Sequence, residues 1–136
     1  MRNPLIIFCL SFLILITACD KDLWIIEPTK VHKLPRIKNY INELQTDKVD
    51  YKGYKVFDNP DGNQIIVISS GGNYELEIQH LHQSSKDTVI DVKVTNEKSK
   101  EKNSYVLVEV NKIIGAFYII EDGDYDKEFE GTGYYD

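Results

Sequence analysis

The chain has 136 residues, of which 42% are hydrophobic and 28% charged, and its formal net charge is −6. This length suits one domain with its own hydrophobic core and is short for two. Seven carboxylates against one lysine in residues 121–136 account for the whole net charge. Residues 1–120 therefore offer no basic face of the kind that binds nucleic acid, and we expect no nucleic-acid partner.

Residues 1–18 have the layout of a secretory signal. Arg2 supplies a positive charge, an apolar stretch runs from Leu5 to Ile16, and the small residue Ala18 precedes Cys19. The apolar stretch is about a dozen residues long, which is short of the roughly 20 that a transmembrane helix needs. We therefore predict a cleaved signal rather than a retained membrane anchor.

The end of this signal, Ile16-Thr17-Ala18-Cys19, resembles the lipobox of bacterial lipoproteins. The resemblance implies that the sulfur of Cys19 receives a diacylglyceryl group and that Cys19 becomes the first residue of the mature protein. It also implies a location at the extracytoplasmic face of a bacterial cell membrane. Cys9 would be lost with the signal, so no thiol would remain for a disulfide, a zinc site or a nucleophile.

Residues 19–35 are predicted to form a tether that contains one apolar patch, Leu23–Ile26. This patch either lies on the membrane surface or adds a strand to the domain. Its branched and aromatic residues favour the strand.

A helix is predicted over Arg36–Gln45, directly after Pro35, which suits the first turn of a helix. Its apolar residues recur at helical spacing and form one stripe that should pack on a sheet, namely Ile37, Tyr40, Ile41 and Leu44.

From Tyr51 onward the pattern changes to strands of alternating or continuous apolar residues. Gln64–Ser69 is apolar on both faces, as a central strand would be. In the half-exposed strands that follow, Tyr74 is expected to point inward and Asp91 outward. Asn111-Lys112 has the length of a two-residue hairpin loop. The predicted strands are Tyr54–Phe57, Gln64–Ser69, Tyr74–Leu81, Thr88–Thr95, Ser104–Val110 and Ile113–Ile120.

These elements predict a mainly β domain over residues 36–120, with one N-terminal helix and antiparallel strands joined by short connections. A small β-sandwich and a rolled, barrel-like sheet are both compatible with this pattern. Asn96–Asn103 is expected to be a solvated loop. Residues 121–136 are expected to be an acidic tail, from which Phe129, Tyr134 and Tyr135 dock singly at most.

The strongest candidate metal ligands are His80 and His82. Imidazoles at i and i+2 on a strand point the same way and bind zinc or copper, but the sequence names no third ligand. The alternative is a strand end with two exposed histidines. No serine motif, free thiol or apolar carboxylate pair indicates acid–base or nucleophilic chemistry, so we expect neither an enzyme nor a cofactor.

Residues 64–112 resemble the C-terminal domain of the PrcB family, small exported bacterial proteins linked to a protease complex. The resemblance lies in an apolar strand, a glycine pair followed by tyrosine, two alternating strands and the stretch Tyr-Val-Leu-Val-Glu-Val-Asn-Lys. The turn departs from the family pattern, because it lacks the threonine and has Asn73 before the tyrosine. The resemblance implies that Gly71, Gly72 and Tyr74 form a recognition turn that docks a protease.

The sequence thus favours a membrane-anchored, non-enzymatic binding or accessory module, with an envelope protein such as a protease as its partner. The many tyrosines of the strand region are typical of binding surfaces, although tyrosine is also an ordinary strand residue. The alternative is a surface lipoprotein that binds a metal or a small ligand through His80 and His82.

Overall fold

The computed structural model describes residues 23–26 and 34–131. The predicted signal, Cys19 and residues 132–136 lie outside the described residues. Within them, no helix is long and apolar enough to cross a bilayer. The elements are β1 (Leu23–Ile26), α1 (Pro35–Thr46), β2 (Lys52–Asp58), β3 (Gln64–Ser70), β4 (Tyr74–Gln83), β5 (Asp87–Lys98), β6 (Tyr105–Val110), β7 (Ala116–Glu121), β8 (Asp124–Glu128) and β9 (Glu130–Gly131).

The strands form two sheets that pack face to face. The large sheet has the order β1-β6-β3-β2-β9, and the small sheet has the order β4-β5-β7-β8. Their facing side chains build one core, and α1 packs on the other face of the large sheet around a second core. Over residues 23–26 and 34–131, the prediction of a mainly β fold with one N-terminal helix is confirmed, and the architecture is a sandwich rather than a rolled sheet.

The central strand β3 explains why this stretch is apolar on both faces. Ile66 and Ile68 point into the core between the sheets. Ile65 and Val67 point the other way, toward α1. The helix meets them with its predicted stripe, in which Ile37, Tyr40 and Leu44 are buried and Ile41 packs at the margin.

The predicted hairpin at Asn111-Lys112 is wrong. Strand β6 lies in the large sheet, whereas β7 lies in the small sheet and pairs in parallel with β5. An Asn-Lys pair does not favour the positive φ angles that a two-residue hairpin needs. Residues 111–115 instead carry the chain from one sheet to the other. Because β2 and β9 also pair in parallel, the sheets are mixed rather than purely antiparallel.

The predicted acidic tail is structured as far as Gly131. Asp122 and Gly123 have φ angles of 54° and 71° and connect β7 to β8, which is the turn that an Asp-Gly pair favours. Phe129 then enters the core between the sheets and is 2% exposed. The two faces of β8 differ too little in polarity for composition alone to reveal the strand.

Several predicted environments also need correction. Tyr74 is 43% exposed rather than inward, and Asn103 is fully buried rather than solvated. Asp91 points away from the core as predicted but is buried. Strand β5 extends through Lys98 and so includes the first part of the predicted loop. The apolar patch Leu23–Ile26 does form a strand, which pairs with β6, so the predicted tether ends before Leu23.

Candidate functional site

The small sheet has one face that the described helix leaves uncovered. Alternate residues of β5 and β7, such as Ile90 and Ile119, point into the core, so the residues between them lie on the opposite face. We call this the outer face of the small sheet. Its central residues are His80 and His82 on β4, Val89 and Asp91 on β5, Tyr118 and Ile120 on β7, and Tyr125 on β8.

Strand register arranges these residues in two rows. Val89 is paired with His82 on one side and with Tyr118 on the other. Asp91 is paired in the same way with His80 and Ile120. Paired side chains on one face of a sheet lie about 5 Å apart. Each row therefore places a small residue between two larger ones.

The outer face has buried aliphatic residues at its centre and aromatic residues at one edge. Val89 and Ile120 are 8% and 3% exposed, although neither belongs to the two core clusters. The rings of Tyr118 and Tyr125 meet edge to face, with 5.7 Å between their centroids. Tyr125 is 57% exposed. Exposed tyrosine beside buried aliphatic groups provides contact area and hydrogen bonding together.

Asp91 fixes the hairpin that carries Tyr125. Its Oδ1 accepts a hydrogen bond from the N–H of Gly123 at 2.9 Å. In the next residue of β5, the carbonyl of Val92 accepts the N–H of Asp122 at 3.0 Å. The buried carboxylate thus has a structural role, since it holds the β7–β8 turn against β5 and sets the position of the aromatic edge.

A bulge brings the two histidines onto this face. The pairing of β4 with β5 shifts by one residue between Ile78 and His80, so Leu81 turns toward the core and both imidazoles are exposed. His82 Nε2 lies 3.7 Å from Asp87 Oδ1. Within the described ranges, no group of three or more His, Cys, Asp or Glu side chains is placed to hold a metal ion.

The turn at Gly71 and Gly72, which we call the glycine turn, lies at one end of the sandwich, away from the two rows of the outer face. Gly71 has a φ of 81°, and a Cβ there would lie 2.9 Å from Lys52 Cβ. Gly72 has open space where a side chain would go. Gly71 is therefore required by the fold, whereas Tyr74 is the large exposed side chain of the turn.

Asn103 supports this turn, a role that the sequence pattern did not indicate. The amide of Asn103 donates to the carbonyls of Lys48 and Tyr51 at 2.8 and 2.9 Å and accepts the N–H of Gly71 at 3.0 Å. Asparagine commonly bonds to turn backbone. Because the residues before Asn103 are rich in lysine, the whole stretch was predicted to be a solvated loop.

Two hydroxyl groups complete the same end of the sandwich. The Oγ atoms of Ser70 and Ser104 are 2.7 Å apart, and Ser104 Oγ also donates to the carbonyl of Tyr74. These bonds join the turn to the strand that follows Asn103. The arrangement is a buried hydrogen-bond network that links the two segments.

The clefts of the described surface are open to solvent. One groove of about 300 Å³ lies between the start of α1 and the β2–β3 turn, and its apolar lining includes Leu34, Pro35, Phe57 and Pro60. A polar groove of about 520 Å³ lies over β4 and β5 beside Glu75 and Lys93. Neither encloses a set of converging polar groups, as a small-molecule site usually does.

Comparison with known proteins places the chain in a family. No protein-family model matches it, and no solved structure matches it significantly. The chain is 32% identical over 127 residues to the uncharacterized protein YycS of Bacillus subtilis (strain 168), and the match covers 90% of each chain. Identity at this level over nearly the whole of both chains shows common descent. The chain therefore belongs to the same family as YycS.

Proposed function

We propose that this protein is a lipid-anchored, non-enzymatic binding module of the bacterial cell membrane. The outer face of the small sheet would bind an envelope protein. The observation that carries the binding role is the edge-to-face pair of the half-buried Tyr118 and the exposed Tyr125, on the same face as the buried Val89 and Ile120. Flat surfaces with aromatic anchors and an apolar centre are typical of protein recognition.

The lipid anchor is proposed from the sequence Ile16-Thr17-Ala18-Cys19. Two acyl chains on one cysteine hold a protein stably, because each buried methylene contributes about 0.8 kcal/mol. Replacement of the thiol in Cys19→Ala should move the protein from the membrane fraction to the soluble fraction of cells. Equal membrane retention of the variant and the wild type would contradict the anchor.

The binding surface is tested by crosslinking in intact cells that express the tagged protein, followed by affinity purification. Tyr125→Ala should reduce the yield of the specifically crosslinked protein by about tenfold, as loss of a hot-spot aromatic does. Tyr74→Ala is the matched control, because Tyr74 is exposed on the same sheet outside the two rows. Immunoblots should show equal amounts of all three proteins in the membrane.

The same experiment separates the outer face from the glycine turn. The resemblance to the PrcB family implies recognition through Gly71, Gly72 and Tyr74, with a protease as partner. If Tyr74→Ala abolishes crosslinking and Tyr125→Ala retains it, the turn is the binding surface and the outer face is not. Mass spectrometry of the crosslinked protein would then show whether it is a protease.

A further inference from the structure

Strand β1 leaves very little chain between Cys19 and the folded domain. Leu23, the first residue of β1, is paired with Val110 at the end of β6. It follows Cys19 by four residues, which span at most about 14 Å. A lipid on Cys19 would therefore keep the edge of the large sheet within that distance of the bilayer.

The antiparallel pairing of β1 with β6 also determines which end of the sandwich is held there. The chain before Leu23 and the chain after Val110 leave the pair in the same direction. Residues 111–115 thus lie at the end nearest to Cys19, which we call the anchor end. The turn at Gly71 and Gly72 lies at the opposite end, because β3 runs from its Val110 partner Gln64 toward Ser70.

The anchor end presents an apolar side chain in a fixed position. Ile114 is 40% exposed. Its N–H donates to Thr88 Oγ at 3.2 Å, and its carbonyl accepts from the same hydroxyl at 3.1 Å. The carbonyl of Lys112 accepts Gln83 Nε2 at 2.8 Å. Because hydrogen bonds fix the loop backbone at both Lys112 and Ile114, the side chain of Ile114 is held in its exposed position.

Basic and apolar groups accompany Ile114. Lys86 and Lys112 are exposed, and the carbonyl of Lys86 is bonded to the N–H of Ala116 at 3.1 Å, beside the loop. The apolar groove at the start of α1 opens at the same end, next to the β2–β3 turn. Asp58 and Asp61 lie at that turn, and anionic lipid would repel their carboxylates. The side formed by residues 111–115 should therefore approach the bilayer more closely than the β2–β3 side.

We propose that the anchor end rests on the bilayer surface, with Ile114 at the boundary between headgroups and acyl chains and with Lys86 and Lys112 at lipid phosphates. This inference rests on the lipid anchor of the proposed function. It deepens that function by assigning an orientation, in which the anchor end faces the lipid and the Gly71 turn points away from it.

The test uses the full-length protein, purified in lipidated form and reconstituted into vesicles of phosphatidylethanolamine and phosphatidylglycerol. Ile114→Cys and Tyr74→Cys each introduce one thiol, which is labelled with an environment-sensitive fluorophore. The two positions are almost equally exposed, at 40% and 43%, but lie at opposite ends. Brominated lipids should quench the label at position 114 by about twofold, as expected for a depth of several ångströms, and leave the label at position 74 unchanged.

Two further measurements separate the possible failures. Mass spectrometry and vesicle flotation establish acylation at Cys19 in each sample. Equal quenching at the two positions in acylated, floating protein would overturn the orientation and leave the anchor intact. Absence of acylation would overturn the anchor and the orientation together. Circular dichroism establishes that both labelled variants keep the strand content of the wild type.

Discussion

Asn103 shows how one buried polar side chain can hold several segments together. It is fully buried and bonds to the backbone of three residues that are distant in sequence, Lys48, Tyr51 and Gly71. Its own N–H and carbonyl are bonded to the side-chain amide of Gln45, near the end of α1. A buried side chain that is fully satisfied in this way specifies one arrangement of its neighbours.

We expect Asn103→Ala to lower the free energy of unfolding by about 3 kcal/mol, because it removes three hydrogen bonds, namely those to the carbonyls of Lys48 and Tyr51 and the one from the N–H of Gly71. Urea unfolding followed by far-ultraviolet circular dichroism would measure the change. Asn96→Ala is the matched control, since Asn96 is the exposed asparagine at the start of the same lysine-rich stretch. Its effect should stay within about 0.5 kcal/mol. Similar losses in both variants would contradict the role given to Asn103.

Among the elements, the β7–β8 hairpin and the short strand β9 close one side of the sandwich. Phe129 lies between β8 in the small sheet and β9 in the large sheet, and its N–H donates to the carbonyl of Ile119 at 2.8 Å. Above it, Lys52 Nζ lies 4.9 Å from the ring centroid and 2.7 Å from Glu121 Oε2. One aromatic residue thus fastens an otherwise polar segment to the core.

Removal of this ring in Phe129→Ala should therefore cost about 3 kcal/mol of unfolding free energy, as for other large-to-small substitutions in cores. Chemical denaturation would measure the cost. Tyr125→Ala, on the exposed side of the same segment, should cost less than about 1 kcal/mol. A stable Phe129→Ala protein with unchanged unfolding would show that residues 124–131 do not contribute to the core.

Elements with strong local patterns could be predicted from the sequence. The helical spacing of Ile37, Tyr40 and Leu44 and the continuous apolar residues of Gln64–Ser69 are enough to predict that these residues are buried. The parallel pairing of β7 with β5 cannot be predicted from a local pattern, because it depends on residues far apart in sequence. The Asp122-Gly123 pair indicated the β7–β8 turn, but the surrounding carboxylates led to the prediction of an acidic tail instead.

The candidate site was less predictable than the fold. His80 and His82 were recognised as neighbours on one face, but the alternation of β4 alone did not reveal the bulge after Ile78. Asp91 was expected to point outward, which it does, but its burial was not predicted. That burial depends on its bond to Gly123, which joins two segments with no sequence pattern in common. The two rows of the outer face arise only when the register of three strands is known.

At the scale of the whole molecule, the two ends of the sandwich differ in chemistry. The anchor end bears Ile114, Lys86, Lys112 and an apolar groove. The opposite end bears the Asn103 network and the exposed Tyr74. The outer face of the small sheet runs between them, so a domain that stands on its anchor end would present this face sideways to other membrane proteins.

This orientation should depend on the short connection before Leu23. One isoleucine and two lysines bind lipid weakly by themselves, so the tether must supply most of the constraint. A flexible insert of about 20 glycine and serine residues after Asp22 has a root-mean-square length of about 25 Å. In the reconstituted protein we expect the insert to leave vesicle flotation unchanged and to remove about half of the lipid quenching at position 114. Replacement of Lys21 and Asp22 by serine removes one positive and one negative charge without changing the length, and it should retain the quenching. Undiminished quenching with the long insert would show that the surface of the anchor end, rather than the short tether, orients the domain.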